Sequence, residues 1–472
     1  MKKTKNSRPP VAIIIFGITG DLARRKLIPS LWSLFINGNL PEKFSIVGFV
    51  RKKWSDNDLR NYAIDILSQK NNEASPQDKE KFIGKFFCVS GNFDQEESYK
   101  ALAEKLSEID KNIGARSEKL FHLSVPPEIY ETIFDQMRKA GLSGAPVDGK
   151  GWTRVLIEKP FGSDRHTAEK LDQKIGTIFK EDQIFRVDHY MGKESMQNIL
   201  AFRFSNSLLE HLWNNSFIER VSIRLWETLG MEGRGAFYDQ VGALRDVGQN
   251  HMLQMLAFIA MEDPVVFEAG AIRKSRAKVL SDLKIISKEE MPKAVIRGQY
   301  QGYLKEPSVR PDSKTETYFH MEAHIENERW KGVPFYLESG KGLGKSEVEI
   351  EVVFRKKDSF LCPPDAGNIS QNTIVFRIQP EEGIDISFWT KRPGFEMKLD
   401  KKTLSFSREK IGDAKKSPDA YERVIFDCLM GDQTFFAGAE EAAASWNFIT
   451  PIIENWDNLP LLKYERGWIP KK

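Results

Sequence analysis

A run of six apolar residues, Val11–Phe16, stops at Gly17-Ile-Thr-Gly20 and leads into a helix-like stretch over Leu22–Phe35. An uninterrupted apolar run of strand length is buried on both faces, which requires a parallel sheet covered by helices. Glycines at its end let the backbone approach a pyrophosphate, and the helix behind them turns its free N–H groups toward the anion. The spacing is G-x-x-G, not the full G-x-G-x-x-G. The motif alone therefore also fits a tight strand-to-helix turn that binds nothing.

The rest of the first third repeats the same grammar. Ser45–Val50, Phe86–Val89, Lys119–Val125 and Thr153–Glu158 are short apolar runs bounded by polar or turn residues. Alternation of such runs with helical segments predicts a Rossmann-like α/β domain. The second strand runs into Arg51-Lys52-Lys53. A carboxylate there grips the ribose of NAD, whereas a guanidinium binds a 2′-phosphate through paired, charge-assisted hydrogen bonds. Arg51 thus points to NADP, while Lys52 and Lys53 fit a solvated basic turn equally well.

From about Arg186 the texture changes. A helix is expected over Ser195–Phe204, an alternating strand over Glu219–Trp226, and a long helix over Arg245–Ala260. Val348–Phe354, Thr373–Ile378 and Ile384–Phe388 read as strands of an antiparallel sheet. A chain of 472 residues is too long for one ordinary core. The reading is an α/β domain over 1–186 and a larger α+β domain, built on a mainly antiparallel sheet, over 187–472.

Composition narrows the function classes. With 29% charged and 40% hydrophobic residues the chain is ordinary globular material, and a net charge of +3 leaves no nucleic-acid or membrane footprint. Cys88, Cys362 and Cys428 show neither metal-ligand spacing nor a disulfide framework, so reduced, buried thiols are expected. The opening MKKTKNSR is basic, but the apolar run after it is too short for a signal peptide or a membrane span. A cytoplasmic protein is expected.

Three further segments are hard to explain as packing. Glu158-Lys159-Pro160-Phe161-Gly162 follows a strand, which places Lys159 near its carboxyl end, where α/β folds bind ligands. Asp188-His189-Tyr190-Met191-Gly192-Lys193 gathers an acid, an imidazole, a phenol and an ammonium within six positions. Arg245-Asp246-Val247-Gly248-Gln249-Asn250-His251 opens a helix with an acid and sets a histidine about one and a half turns later. Oxidation of an alcohol needs a base with a pKa near neutrality, and histidine backed by a carboxylate supplies it. A phosphorylated substrate needs cationic and hydroxyl donors at its far end, and His189, Tyr190 and Lys193 are such a set. Each residue also has a plain reading: Asp246 as a helix cap, His251 as a satisfied half-buried histidine, Tyr190 as a packing aromatic. No histidine has zinc-like spacing, so no metal is expected.

These motifs together resemble the glucose-6-phosphate dehydrogenase family. The resemblance runs from the G-x-x-G-D-L-A turn through Val125-Pro126-Pro127, EKPFG, DHYMGKE, Glu232-Gly-Arg-Gly235, LRDVGQNH and Thr315-Glu-Thr317. It continues through Arg329-Trp330, Gly340-Lys341, Tyr421-Glu-Arg423 and Gly431-Asp-Gln433 to Ser445-Trp446 and Gly467-Trp468, nearly the whole chain. The resemblance implies His251 as the base for the C1 hydroxyl of glucose 6-phosphate, paired with Asp188. It implies His189, Tyr190 and Lys193 on the 6-phosphate, and Lys159, Glu227, Asp246 and Lys341 on the sugar hydroxyls, with Lys159 also meeting the nicotinamide. Gly17, Gly20, Asp21 and Leu22 would lie along NADP, with Arg51 at its 2′-phosphate. The products would be 6-phosphogluconolactone and NADPH, in the first step of the oxidative pentose phosphate pathway, and the assembly a homodimer or homotetramer.

Several positions depart from the family pattern. Ile18 replaces a small residue in the phosphate turn and is expected to crowd the cofactor. Gly248 interrupts a helix, at a cost of about 1 kcal/mol relative to alanine. Glu338 replaces an arginine three residues before Lys341, which puts a second nucleotide site in doubt, and Ser346 stands where many members carry a base, beside Lys345. Two alternatives stay open at this level: a dehydrogenase of another aldose 6-phosphate, and a non-catalytic NADP sensor of the same fold.

Overall fold

The computed structural model describes residues 8–69, 75–144, 151–356, 371–407 and 418–470. The chain forms two compact units: Met1–Gly162 with His166–Lys193 and Ser417–Ala439, and Ser163–Arg165 with Glu194–Lys416 and Glu440–Lys472.

The first unit is built on six strands, β1 (Val11–Phe16), β2 (Phe44–Val50), β3 (Phe86–Ser90), β4 (Glu118–Leu123), β5 (Thr153–Ile157) and β6 (Ile184–Arg186). Their order is β3-β2-β1-β4-β5-β6, and every neighbouring pair is parallel. All six residues of β1 are buried. Its side chains alternate between two cores, Val11, Ile13 and Ile15 into one and Ala12, Ile14 and Phe16 into the other. That alternation is why the run carries no polar residue.

The expected division at 186 differs from these units on three counts, of which the smallest is that Ser163–Arg165 group with the second unit. Residues 187–193 belong with the parallel sheet, where the Val187 N–H continues onto the Ile157 carbonyl at 2.9 Å. The helix Ala420–Met430 also belongs there, because its apolar stripe Tyr421, Val424, Ile425 and Cys428 is buried in the first core. Helical periodicity shows that such a stripe needs a partner, but not which core supplies it.

The second unit contains a nine-stranded sheet. Its strands are β7 (Ile218–Trp226), β8 (Val295–Tyr300), β9 (Tyr318–His324), β10 (Pro334–Gly340), β11 (Glu347–Phe354), β12 (Thr373–Gln379), β13 (Gly383–Lys391), β14 (Leu399–Ser407) and β15 (Leu461–Tyr464). The order is β14-β13-β12-β11-β7-β10-β9-β8-β15. The β7–β10 and β8–β15 pairs are parallel and the others antiparallel. The sheet is therefore mainly antiparallel, as expected.

Two stretches read as single helices are each composite. Leu22–Phe35 resolves into a π-helix over Ala23–Leu27 and an α-helix over Ile28–Ile36. Arg245–Ala260 resolves into a π-helix over Leu244–Met252 and an α-helix over Leu253–Ala260 buried along its whole length. Apolar periodicity over so few turns does not separate the two helix types. Cys88 and Cys428 are buried free thiols, Cys88 pushed up to about 11 by desolvation. Cys362 lies outside the described residues. Among the described residues no helix is long and apolar enough to cross a membrane.

Candidate active site

The nucleotide-binding candidates sit at the carboxyl end of β1. Gly17 has φ +81°, and a Cβ there would meet the Ser124 carbonyl oxygen at 2.2 Å, so only glycine fits. The Gly20 N–H closes the turn on the Gly17 carbonyl at 2.9 Å. The helix that follows begins at Asp21 behind Gly20, which has no side chain to cap it, so its opening N–H groups can serve an anion. Asp21 is exposed, opens the helix and pairs with Arg25 at 3.5 Å, and Leu22 follows it in the first turn. Arg51 is exposed directly beyond β2, with no acidic residue at that strand's end.

Ile18 does not do what the sequence reading expects. It is fully buried in the first core, against Gly48 of β2, where a Cβ would lie 2.8 Å from the Ile18 Cγ2. The bulk of Ile18 is absorbed by the missing side chain of Gly48, so it packs beneath the turn.

The carboxyl ends of β5 and β6 carry the next group, and these strands are parallel neighbours. Lys159 is half-buried, with a cis peptide bond to Pro160. Beyond β6, Asp188 is buried and its Oδ1 accepts the Tyr190 N–H at 2.9 Å. Tyr190 packs its ring 5.0 Å from that of His189, and the Lys193 ammonium lies 4.9 Å over the Tyr190 ring. The four polar residues of this turn are thus held together.

A buried network of Glu158, His122 and Tyr421 adjoins them, its residues standing in the sequence only as members of longer motifs. Glu158 is buried; its Oε1 meets His122 Nε2 at 2.9 Å and its Oε2 accepts the Tyr421 hydroxyl at 3.1 Å. The Tyr421 ring stacks near His189, with centroids 6.1 Å apart and planes 15° from parallel. The only sequence signal for Glu158 is an acid directly after an apolar strand.

In the second unit the parallel pairing of β7 with β10 sets Trp226 opposite Gly340. The next residues, Glu227 and Lys341, are therefore neighbours despite their separation along the chain. Lys341 is buried and its Nζ donates to Glu227 Oε2 at 2.5 Å. The ammonium lies 5.4 Å over the Tyr238 ring, and Asp246 and Glu227 both help hold the Tyr238 phenol well above its ordinary range, behind burial as the larger cause. Lys341 thus sits over one buried ring with Glu227 as its partner, and the same phenol feels the Asp246 charge.

His251 is buried on the π-helix, its backbone N–H bonded to Asn250 Oδ1 at 2.7 Å. Asp246 lies inside that helix, two residues past its first residue, and the N-cap position is Ala243, so Asp246 does not fill the capping position. A π turn holds about 4.4 residues against 3.6, which brings Asp246 and His251 within about 50° of each other around the axis. On an α-helix they would be about 140° apart. Gly248 is likewise not a mere interruption. A Cβ there would lie 2.9 Å from both the Leu244 Cδ1 and the Phe319 Cζ, so glycine lets this helix lie close on β9.

Glu338 is buried and accepts the Tyr318 hydroxyl at 2.6 Å, with desolvation raising its carboxyl above the usual range. Its charge is thus met locally on the sheet. Ser346 bonds the Thr228 backbone N–H at 2.9 Å, and Lys345 pairs with Glu347 at 2.6 Å.

The comparisons with known proteins bear on the same segments. Residues 14–198 match the family model "Glucose-6-phosphate dehydrogenase, NAD binding domain", and residues 200–472 match "Glucose-6-phosphate dehydrogenase, C-terminal domain". The glucose-6-phosphate 1-dehydrogenase of Borreliella burgdorferi is 40% identical over 466 residues, covering 96% of this chain and 94% of its own. That of Bacillus subtilis is 38% identical, covering 96% and 92%. A solved glucose-6-phosphate dehydrogenase in complex with its substrate superposes with TM-score 0.91 at 32% identity, over 99% of this chain and 96% of that one. The glucose-6-phosphate 1-dehydrogenase from Mycobacterium avium superposes with TM-score 0.83 at 31% identity, over 98% and 95%. The chain belongs to the glucose-6-phosphate dehydrogenase family.

Proposed function

We propose that the chain oxidises the C1 hydroxyl of glucose 6-phosphate to 6-phosphogluconolactone. The observation that carries the reading is the match, over almost the full length of both chains, to an enzyme solved with that substrate. The residues present suit it. The uncapped helix after Gly20 suits a pyrophosphate, and the Arg51 guanidinium suits a 2′-phosphate. NADP, when bound, accepts the hydride.

In this reading His251 takes the hydroxyl proton, and Asp188 stabilises the charge the imidazole then carries. His189, Tyr190 and Lys193 hold the 6-phosphate. Lys159, Glu227, Asp246 and Lys341 engage the sugar hydroxyls, and the short Lys341–Glu227 contact keeps both groups oriented before substrate arrives. Gly17, Gly20, Asp21 and Leu22 line the cofactor. The buried free thiols Cys88 and Cys428 suit a cytoplasmic protein, and the kinship with the family makes a homodimer or homotetramer the expected assembly.

The test is steady-state turnover with NADP and NAD against glucose 6-phosphate and two other aldose 6-phosphates. Turnover preferring NADP and glucose 6-phosphate is expected. No turnover with any pair overturns the enzyme reading, and faster turnover with NAD overturns the role of Arg51.

A further inference from the structure

We infer that Glu316 is a positioning residue for His251, and that its ionised carboxylate fixes the start of the wide helical turn on which His251 rides. The inference rests on His251 being the base. A π-helix nine residues long is unusual, and an isolated sequence has little reason to prefer it over an α-helix. Something in the tertiary structure must hold it, and the contacts converge at its first residue.

Glu316 is 4% exposed. Its Oε1 accepts the Leu244 N–H, the first of the π-helix, at 3.0 Å, and its backbone carbonyl accepts the preceding Ala243 N–H at 3.2 Å. Its Oε2 accepts the indole N–H of Trp456 at 2.8 Å. Just upstream, Gly242 has φ +73°, and a Cβ there would stand 2.4 Å from Oε1. Glycine, carboxylate and helix start are fitted to one another.

Both oxygens are met by N–H donors, so the ionised form is the one this geometry satisfies. Burial pushes the carboxyl up, while the Leu244 N–H, the Trp456 indole and the Arg245 guanidinium pull it back. Burying a carboxylate to hold a helix start is costly, and neutral caps exist. What the anchor secures is the phase of the turn. His251 lies seven residues beyond Leu244, so reversion from π to α winding would rotate it by about a third of a turn. It would also separate Asp246 from the same face.

The test is Glu316→Gln in the full-length enzyme. The amide offers one oxygen, so its –NH2 must face a donor, the Trp456 indole or the Leu244 N–H. We expect kcat per folded molecule to fall about 10–100-fold, KM for glucose 6-phosphate to change less than about 3-fold, and the acid limb of the kcat/KM pH profile to move. Adding Trp456→Phe, which removes the opposed indole N–H, should recover most of the loss. Trp456→Phe alone, which leaves the Leu244 contact, should cost less than about 3-fold. Circular dichroism and an NADP-binding titration supply the folded fraction. Unchanged kcat and pH profile in Glu316→Gln, a loss that only tracks the unfolded fraction, or no recovery in the double variant would each overturn the proposal. His251→Asn is the separate control: if it leaves kcat unchanged, the base assignment fails instead.

Discussion

His251 is buried in a segment whose polar residues would be wasteful as packing, and removing its imidazole is the sharpest residue-scale prediction. His251→Asn should lower kcat by about 10²–10⁴ with substrate KM nearly unchanged, as loss of a general base does. Rapid-mixing and steady-state rates on the same preparation check it. Glu118 on β4 offers a stability prediction of a different kind. Burial raises its carboxyl from 4.5 to about 7, against the opposing pull of Arg154. Between those values the folded chain keeps a proton that the unfolded chain has released, so the parent loses stability as pH rises through that window. Glu118→Gln escapes the loss. Its melting midpoint should match the parent's near about pH 4 and exceed it by a margin that is fully developed near about pH 8.

At the scale of elements, the turn after β1 and the helix of His251 share a lesson about departures from pattern. Ile18 looks like an obstruction beside a cofactor, yet it fills the space left by Gly48. Gly48→Ala should therefore destabilise the enzyme by about 1–3 kcal/mol, the range for overpacking a tight core. Ile18→Ala in the same chain should restore part of that, as a double-mutant cycle in denaturant would show. Gly248, likewise, looks like a cost on an α-helix and is a requirement of close packing on a π-helix. The type and rough bounds of many elements were legible, since β1, β2 and, in the second sheet, β7, β11, β12 and β13 fall within a few residues of the expected ranges, whereas β8, β9, β10, β14 and β15 carried no signal that was read. The winding of the two composite helices was not, because it depends on contacts such as Leu244 with Glu316 that are remote in sequence.

For the whole molecule, the returning segment around Ala420–Met430 adds a large apolar surface to the core of the first unit. Val424, Ile425, Leu429 and Phe436 are all buried in the first core, worth about 6–12 kcal/mol at the usual value per side chain. That is comparable to the net stability of a domain, about 5–15 kcal/mol. A fragment ending at 193 should then bind a hydrophobic dye and melt without a cooperative transition, whereas the full chain melts cooperatively. A sharp melt of the fragment would count against this reading of the core.

Apart from the resemblance to the family, through which alone Glu227 and Lys341 entered, the amino-acid sequence by itself determined the parallel first sheet and singled out the turn after β1 and the polar segments 158–162, 188–193 and 245–251 as candidates. These follow from local periodicity, from glycines with one tolerable conformation and from rare polar clusters, all of which lie within short windows of chain. Tertiary structure alone decided that Glu227 meets Lys341 across parallel strands, that Glu158 ties His122 to Tyr421, and that a late helix completes the first core. It also decided that Asp246 and His251 turn toward one face. Those outcomes depend on which distant surfaces pack together, and packing energy is not written in any local pattern.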